Sequence, residues 1–154
     1  MAAVDIALEA PDSAEAGWCL EQYYAELATR FEAGFDPQAG NTFDPAEMIP
    51  PNGYFVIARM RGKAVGCGAL KLLAPELGEV KRVWIAPAAR GQGVAGKIMQ
   101  RLEEIARDAG LGTLRLDTNK ALTEAHALYR KLGYHEIPPY NDNPYAHHWF
   151  EKRL

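Results

Sequence analysis

A glycine-rich segment in the middle of the chain constrains the fold more than any other feature. It reads Arg90-Gly91-Gln92-Gly93-Val94-Ala95-Gly96-Lys97-Ile98 and lies between an alternating apolar run and an amphipathic repeat. Glycines let a backbone approach a phosphate group closely, and the free N–H groups at the start of a helix point toward such an anion. The segment therefore predicts a strand–loop–helix unit that binds a phosphate-containing ligand.

The runs on either side of this segment predict a mixed sheet with helices on both faces. Alternating apolar and polar residues indicate strands, and apolar residues three or four positions apart indicate helices. Strands are predicted over residues 4–8, 54–60, 64–73, 78–85, 113–117, 134–137 and 146–152, and helices from 12 or 13 to about 32, from 94 to about 109 and over 123–132. The order β-α-β-β-β-α-β-α-β-β is typical of an α+β fold in three layers, not of a doubly wound one.

The composition is that of a globular protein that does not act on nucleic acids. The chain has 154 residues, 48% of them hydrophobic, which suits a single domain over residues 1–154 with a substantial core. Its net charge of -3 lacks the basic excess of DNA- and RNA-binding proteins. The first residues carry no signal-peptide pattern, and no apolar run reaches the length of a membrane span. We therefore expect a cytoplasmic protein with neither a nucleic-acid nor a membrane partner, in which Cys19 and Cys67 are reduced.

Three phosphate-binding patterns compete for the glycine-rich segment. A triphosphate-binding loop would need Ser or Thr after Gly96-Lys97 to hold magnesium, and Ile98 stands there. A dinucleotide-binding pattern fits Gly91, Gly93 and Gly96, with Asp117 near the position of the ribose ligand. However, residues 86–90 separate these glycines from the strand, and the chain after Asp117 is too short for a second mononucleotide-binding half. A nicotinamide-dependent oxidoreductase is thus the weaker alternative.

The third pattern, Arg90-Gly-Gln-Gly93-Val-Ala95, resembles the [Q/R]-x-x-G-x-[G/A] loop of the GNAT superfamily of N-acetyltransferases. Residues 83–87 resemble that family's fourth strand and its proline-containing exit, and residues 113–117 resemble its fifth strand. Residues 127–134, Ala-Leu-Tyr-Arg-Lys-Leu-Gly-Tyr, are similar to its A-x-x-L-Y-x-K-x-G-[FY] motif. The resemblance implies a centrally splayed mixed sheet and transfer of an acetyl group from acetyl-CoA to a primary amine, without a metal ion.

The same resemblance implies where acetyl-CoA binds. The pyrophosphate would lie on backbone N–H groups of the loop, with positive charge from Arg90 and Lys97; the pantetheine arm would pair with the fourth strand like an added strand. The Ile85 N–H would stabilise negative charge on the reacting oxygen. Many family members have an Asn where this chain has Leu122, and Asn119 is the nearest substitute. The predicted cofactor-binding residues are Val83, Trp84, Ile85, Arg90, Gly91, Gln92, Gly93, Val94, Ala95, Gly96 and Asn119.

Two residues are predicted to carry the catalysis, by direct attack of the amine in a ternary complex. Glu79, on the fourth strand, matches the position of the family's general base, and Asp117 is the other candidate for that role. Tyr129 matches the position of the general acid that protonates the departing thiolate. His126 is predicted to be a structural histidine, and an acyl-enzyme on Cys67 is disfavoured because its glycine neighbours indicate close packing.

The acceptor is expected between the irregular segment 35–53 and the loop 138–149. These stretches combine acids with aromatic side chains, a combination that suits a cationic amine on a small molecule, a lysine or a protein N-terminus. The acids are Asp36, Asp44, Glu47 and Asp142, and the aromatic residues are Phe35, Phe43, Tyr140, Tyr145 and Trp149. The sequence leaves open a homodimer, and also a non-catalytic acyl-CoA-binding sensor with the same fold.

Overall fold

The computed structural model describes residues 3–37 and 45–154. Its elements are β1 (Val4–Leu8), α1 (Ala14–Arg30), β2 (Gly53–Met60), β3 (Lys63–Ala74), β4 (Leu77–Ile85), α2 (Val94–Asp108), β5 (Thr113–Thr118), α3 (Thr123–Lys131), β6 (His135–Ile137) and β7 (His148–Arg153), with short 3-10 helices at Pro45–Met48 and Pro87–Ala89. The predicted order of strands and helices is confirmed.

The seven strands form one mixed sheet in the order β1-β2-β3-β4-β5-β7-β6. Only β4 and β5 pair in parallel; every other pair is antiparallel. Alternate residues of the central strands supply two separate cores: Val56 and Leu70 pack with α2 and α3, whereas Phe55 and Ala69 pack with α1. The sheet thus carries helices on both faces, as the sequence predicts.

The sheet is open at its centre. β4 and β5 pair only between Leu77–Glu79 and Thr113–Arg115. Beyond that point β4 continues along β3 as far as Ile85, and β5 continues along β7 as far as Thr118. A wedge-shaped gap therefore begins just after Glu79, with one unpaired strand edge on each side.

A bulge in β4 helps to direct this strand away from β5. Its register with β3 passes from the Ala69–Lys81 pair to the Cys67–Trp84 pair, so that Arg82 and Val83 together face one residue. Arg82 has a φ of 57°, in the left-handed region that non-glycine residues seldom adopt. An extra residue of this kind bends the strand and increases its twist. The sequence pattern gave no sign of this bulge.

Close packing explains the glycines around Cys67. A Cβ atom at Gly66 would lie 2.7 Å from the Trp84 carbonyl oxygen, and one at Gly68 would lie 2.7 Å from Ile98 Cγ2 of α2. Cys67 and Cys19 are both fully buried free thiols. The backbone here is pressed against its neighbours, as the sequence predicts.

None of the helices within residues 3–37 and 45–154 has both the length and the apolar character that crossing a membrane requires.

Candidate active site

Two cavities adjoin the gap between β4 and β5. The larger has a volume of about 490 Å³ and lies among the end of β4, the glycine-rich loop, the start of α2, and helices α1 and α3. The smaller, of about 120 Å³, lies on the side of β5 and the loop before β7. Both cavities are lined by Tyr23, Leu27, Val83, Leu122, Ala125 and Tyr129. Two ligands bound in them would therefore meet at these shared residues.

The glycine-rich loop forms one wall of the larger cavity. Gly91 and Gly93 have φ values of 77° and 78°, which residues with a Cβ seldom adopt, and Gly93 precedes the first residue of α2. The first backbone bond of the helix joins Lys97 N–H to the Gly93 carbonyl at 3.2 Å. The N–H groups of the residues between these two have no partner within the helix, as at any helix start, and can donate to an anion.

Polar side chains of the loop form hydrogen bonds and an ion pair with other parts of the protein. The Arg90 guanidinium donates to the Ile85 carbonyl at 3.0 and 3.2 Å and pairs with Glu26. Gln92 donates to the Ala88 carbonyl at 3.4 Å and, like Lys97, does not line the cavity. The predicted loop residues that line the larger cavity are Arg90, Gly91, Gly93, Val94, Ala95 and Gly96. Of these, Arg90 is the one with a charged side chain, and that side chain already bonds to Ile85 and Glu26.

The edge of β4 forms the adjacent wall. Val83, Trp84 and Ile85 all line the larger cavity. Ala86 N–H donates to the Val65 carbonyl at 2.7 Å, so Ile85, which faces Gly66, occupies a non-hydrogen-bonded position of the antiparallel ladder. The N–H and C=O groups of Ile85 consequently face away from β3, toward the gap.

Tyr129 stands where the cavities meet. It lies on α3, packs against the rings of Tyr134 and Phe150 at centroid distances of 6.0 and 6.1 Å, and is 8% exposed. Burial, together with the negative charges of Asp117 and Glu124, raises the pKa of its hydroxyl to about 12. At neutral pH the side chain is therefore a proton donor.

Tyr23, on α1, is a second tyrosine shared by the cavities, and burial raises its pKa as well. The sequence does not mark Tyr23 as a site residue. The only signal available was its place on the apolar face of a helix, which gives no reason to distinguish it from a core residue.

Glu79 lies at the apex of the gap but lines neither cavity. It is 3% exposed, accepts a hydrogen bond from the Tyr140 hydroxyl at 2.6 Å, and lies 3.3 Å from the Lys81 ammonium. Burial and the neighbouring Glu79 carboxylate raise the pKa of Tyr140. Lys81, its ion-pair partner, does line the smaller cavity.

Asp117, by contrast, lines the smaller cavity directly. Its two carboxylate oxygens accept hydrogen bonds from Asn141 Nδ2 at 2.7 Å and Asn143 Nδ2 at 3.1 Å. Asn143 lines the cavity as well. Neither asparagine was singled out in the sequence, because nothing in a loop between two strands shows which side chains turn back toward β5.

The smaller cavity contains only part of the predicted acceptor set. Phe35 and Tyr145 line it, with ring centroids 4.8 Å apart. The other described candidates lie elsewhere: Glu47 pairs with Lys71, Tyr140 donates to Glu79, Trp149 donates to Asn141, Asp142 is exposed, and the Asp36 backbone N–H donates to the Tyr145 hydroxyl. Phe43 and Asp44 lie outside the described residues.

Asn119 and His126 support the loop between β5 and α3. The Asn119 amide donates to the Tyr145 carbonyl at 2.7 Å and accepts from Ala121 N–H at 2.9 Å, and it lines the smaller cavity instead of the larger one. His126 Nε2 lies 2.8 Å from the Asn119 carbonyl, and burial lowers its pKa. These contacts are structural, as the sequence suggests for His126.

The sequence of the chain matches a known protein family. The family model of the Acetyltransferase (GNAT) family matches residues 20–134. The chain belongs to the GNAT family. An IAA acetyltransferase from Azospirillum brasilense is 33% identical over 128 residues, which cover 82% of this chain and 78% of that protein. The predicted acyltransferase class is therefore confirmed.

Solved structures agree with this assignment of a GNAT fold. A crystal structure from Klebsiella pneumoniae, assigned as an acyl-CoA N-acyltransferase, is 32% identical, with a TM-score of 0.77 and coverage of 98% of this chain and 97% of that one. A GNAT acetyltransferase from Elizabethkingia anophelis with acetyl-CoA bound is 15% identical, has a TM-score of 0.66, and covers 98% of each chain. In the described part of this GNAT chain, no group of three His, Cys, Asp or Glu side chains is placed to hold a metal ion.

Proposed function

We propose that this GNAT protein transfers the acetyl group of acetyl-CoA to a primary amine in a ternary complex. The observation that carries the proposal is the junction of two cavities at Tyr129, beside the gap between β4 and β5. Acetyl-CoA would occupy the larger cavity and the amine the smaller one. Acetyl-CoA supplies a thioester carbonyl, which the amine nitrogen attacks as the carbon–sulfur bond breaks.

The larger cavity suits a long ligand with a phosphate group at one end and amides along its length. Backbone N–H groups at the start of α2 would hold the pyrophosphate, and the Ile85 N–H, whose own carbonyl accepts from Arg90, would donate to the pantetheine arm. The GNAT structure with bound acetyl-CoA shares the fold that forms such a cavity. A volume of about 490 Å³ is within the usual range for small-molecule sites.

Tyr129 is the proposed general acid. Its raised pKa keeps the hydroxyl protonated at neutral pH, and its place at the junction puts the proton near the atom that leaves as a thiolate. Proton donation at this point makes departure of the thiol easier.

Glu79 is the proposed general base, because an ammonium must lose a proton before its nitrogen can attack. Since Glu79 lines neither cavity, the proton lost by the ammonium would reach the Glu79 carboxylate through an intervening water molecule. Asp117 is the second candidate for the base. The observation that supports this alternative is that Asp117 lines the smaller cavity directly.

Direct attack is favoured over an acyl-enzyme. Cys67 is fully buried, its thiol donates to the Arg82 carbonyl at 3.3 Å, and its interaction with the Cys19 thiol, together with burial, raises its pKa. A thiol in this state is a poor nucleophile. The acceptor, a small molecule or a protein amine, would therefore take the acetyl group from acetyl-CoA without a covalent relay.

We place the protein in the cytoplasm, where Cys19 and Cys67 would remain reduced. No nucleic-acid or membrane partner is proposed, and a homodimer is compatible with the reaction.

Initial-velocity kinetics test the ternary complex. We expect intersecting double-reciprocal lines when acetyl-CoA and amine are both varied; parallel lines would indicate an acyl-enzyme. A thermal-shift comparison of acetyl-CoA, NADH and ATP accompanies it. Stabilisation by acetyl-CoA alone is expected, and stabilisation by NADH instead would favour the dinucleotide alternative.

A further inference from the structure

We infer that Asp117 binds the acceptor's ammonium group, and that Asn141 and Asn143 are positioning residues that hold the Asp117 carboxylate for this purpose. The inference rests on the proposed function for the identity of the ligand as an acetyl acceptor. It also narrows the substrate class to primary amines that are protonated at neutral pH, which means alkylamines in preference to arylamines or alcohols.

The hydrogen bonds at Asp117 leave its charge in place. Among residues 3–37 and 45–154, the side-chain donors to Asp117 are two neutral amides, at 2.7 and 3.1 Å, one on each carboxylate oxygen. A carboxylate offers about four lone-pair positions, so two such bonds leave acceptor capacity for a further donor. The side chain lines the smaller cavity, where that donor would bind.

The asparagines are themselves held in place. Asn141 Oδ1 accepts from the Trp149 indole N–H at 3.0 Å and from Asn143 N–H at 3.2 Å, and Asn143 Oδ1 accepts from Tyr145 N–H at 3.1 Å. These bonds to the oxygens fix each amide so that its NH₂ group points at Asp117. A flipped amide would place an oxygen against the carboxylate.

Aromatic walls of the smaller cavity also suit a cation. Of the two described cationic side chains that line it, Lys81 pairs with Glu79 and Arg82 lies over the Tyr24 ring. Phe35 and Tyr145 lie with ring centroids 4.8 Å apart, and both line the cavity with Phe31. Aromatic faces attract alkylammonium groups. Tyr129 also lines this cavity, so an ammonium at Asp117 would share the cavity with the proposed general acid.

The test measures amine binding apart from catalysis. Protein saturated with CoA is titrated by calorimetry with primary alkylamines of three to eight carbons, and with aniline and n-butanol. We expect an alkylamine to bind and the other two to fail. Asp117→Asn should weaken alkylamine binding by about 30-fold, as expected when one partner of a partly buried charged pair is removed. Asn141→Leu and Asn143→Ala should each weaken it by about 10-fold.

Matched controls separate this role from a general effect on the fold. Asp5→Asn removes one carboxylate from an exposed position on β1 and should leave amine affinity unchanged. Acetyl-CoA affinity should be the same in all variants, and Asn141→Gln, which keeps the donor, should recover part of the loss. Thermal unfolding of each variant checks that it is folded.

The outcomes distinguish this inference from the proposed function. If Asp117→Asn binds the amine as tightly as the wild type, or no alkylamine binds the CoA-saturated wild type, the inference is wrong. If Asp117→Asn binds the amine normally but turns over slowly, Asp117 is the base, and its proposed role in binding is equally wrong. Amine binding that requires Asp117, without formation of an N-acetyl product, would contradict the proposed function and leave the inference standing.

Discussion

At the scale of single residues, the site depends on polar groups placed where water is largely excluded. Glu79 and Tyr129 are 3% and 8% exposed. Burial penalises the charged form of a side chain, which is why the Tyr129 pKa rises to about 12. Glu79 instead accepts a hydrogen bond from Tyr140 and lies beside Lys81, which together compensate for the burial of its carboxylate.

Replacement of Tyr129 by Phe tests the general acid. The variant keeps the ring that packs against Tyr134 and Phe150 and removes only the hydroxyl. We expect kcat to fall by roughly 10²-fold with acetyl-CoA affinity nearly unchanged, because the lost interaction is made in the transition state. A free-thiol assay of CoA release measures kcat, and calorimetry measures acetyl-CoA affinity. Tyr54→Phe, on β2, is the control, and full activity of Tyr129→Phe would make Tyr129 a packing residue.

Replacement of Glu79 by Gln tests the general base. We expect a loss of roughly 10²-fold in rate at neutral pH that shrinks at high pH, where more of the amine arrives deprotonated. The substitution also removes the Glu79 carboxylate from its ion pair with the Lys81 ammonium. Thermal unfolding of the variant must therefore be measured as well. A loss that does not depend on pH, or a loss seen only in Asp117→Asn, would move the base to Asp117 or to bulk water.

At the scale of elements, the site is built by a strand that leaves the sheet and a helix that begins beside it. The Arg82 bulge and the short β4–β5 pairing open the gap, and two left-handed glycines bring the backbone to the start of α2. Each of these two features leaves backbone N–H groups exposed. In a continuous sheet or a capped helix, the same groups would donate hydrogen bonds within the protein. The ligand, not the protein, would complete these hydrogen bonds.

Gly96 allows this wall to be tested without straining the backbone. It lies in the first turn of α2, lines the larger cavity, and an added Cβ meets nothing within 4 Å. We expect Gly96→Leu to weaken acetyl-CoA binding by at least 10-fold while thermal stability stays equal or rises, because Leu favours a helix over Gly by about 0.5–1 kcal/mol. Calorimetry and a melting curve measure both.

The control for this substitution is the same change in another helix. Gly17, in α1, also has open space around its Cβ position and lines neither cavity. Gly17→Leu should leave acetyl-CoA affinity unchanged. Unchanged affinity in Gly96→Leu as well would remove the start of α2 from the proposed cofactor site.

The elements themselves could largely be predicted from the sequence, because their periodicities are local. The differences arise where tertiary contacts decide. The last strand begins at His148 instead of residue 146, since Ala146 and His147 donate to Asn143 and Thr118 in the preceding loop and the adjoining strand. The β4 bulge has no local signal, because Arg82 adopts a strained backbone that only its neighbours impose.

At the scale of the whole molecule, the buried tyrosines predict loss of stability in alkaline solution. The pKa of Tyr129 is raised from about 10 to about 12, and those of Tyr23, Tyr134 and Tyr140 are raised as well. Above pH 10 the unfolded chain releases these protons before the folded one does, so unfolding becomes more favourable as pH rises. The stabilisation is complete below pH 10 and declines above it.

Urea unfolding at pH 8, 10 and 11 measures this decline. Two pKa units correspond to at most about 2–3 kcal/mol for Tyr129, lost progressively between pH 10 and pH 12. Tyr129→Phe should therefore lose less stability than the wild type between pH 8 and pH 11. An equal loss in both proteins would mean that the folded state does not hold this proton more tightly.

The site was less predictable than the fold, because a site joins residues that are distant in the chain. Their motifs mark the glycine-rich loop and Tyr129 as candidate site residues. Tyr23 could not be told from a core residue, and the acids of segments 35–53 and 138–149 could not be sorted into those that line a cavity and those that pair elsewhere. Asp117 lines the smaller cavity and is held there by Asn141 and Asn143, whose orientation depends on Trp149 and Tyr145.

The central claim is transfer of an acetyl group from acetyl-CoA to an amine, and quantitative mass spectrometry of both products tests it most directly. The protein is incubated with acetyl-CoA and a panel of primary alkylamines, and free CoA and N-acetylated amine are measured together. We expect equal amounts of the two, formed faster than in the absence of protein. Tight acetyl-CoA binding without any N-acetylated amine above the uncatalysed level would contradict the claim and favour a non-catalytic acyl-CoA sensor.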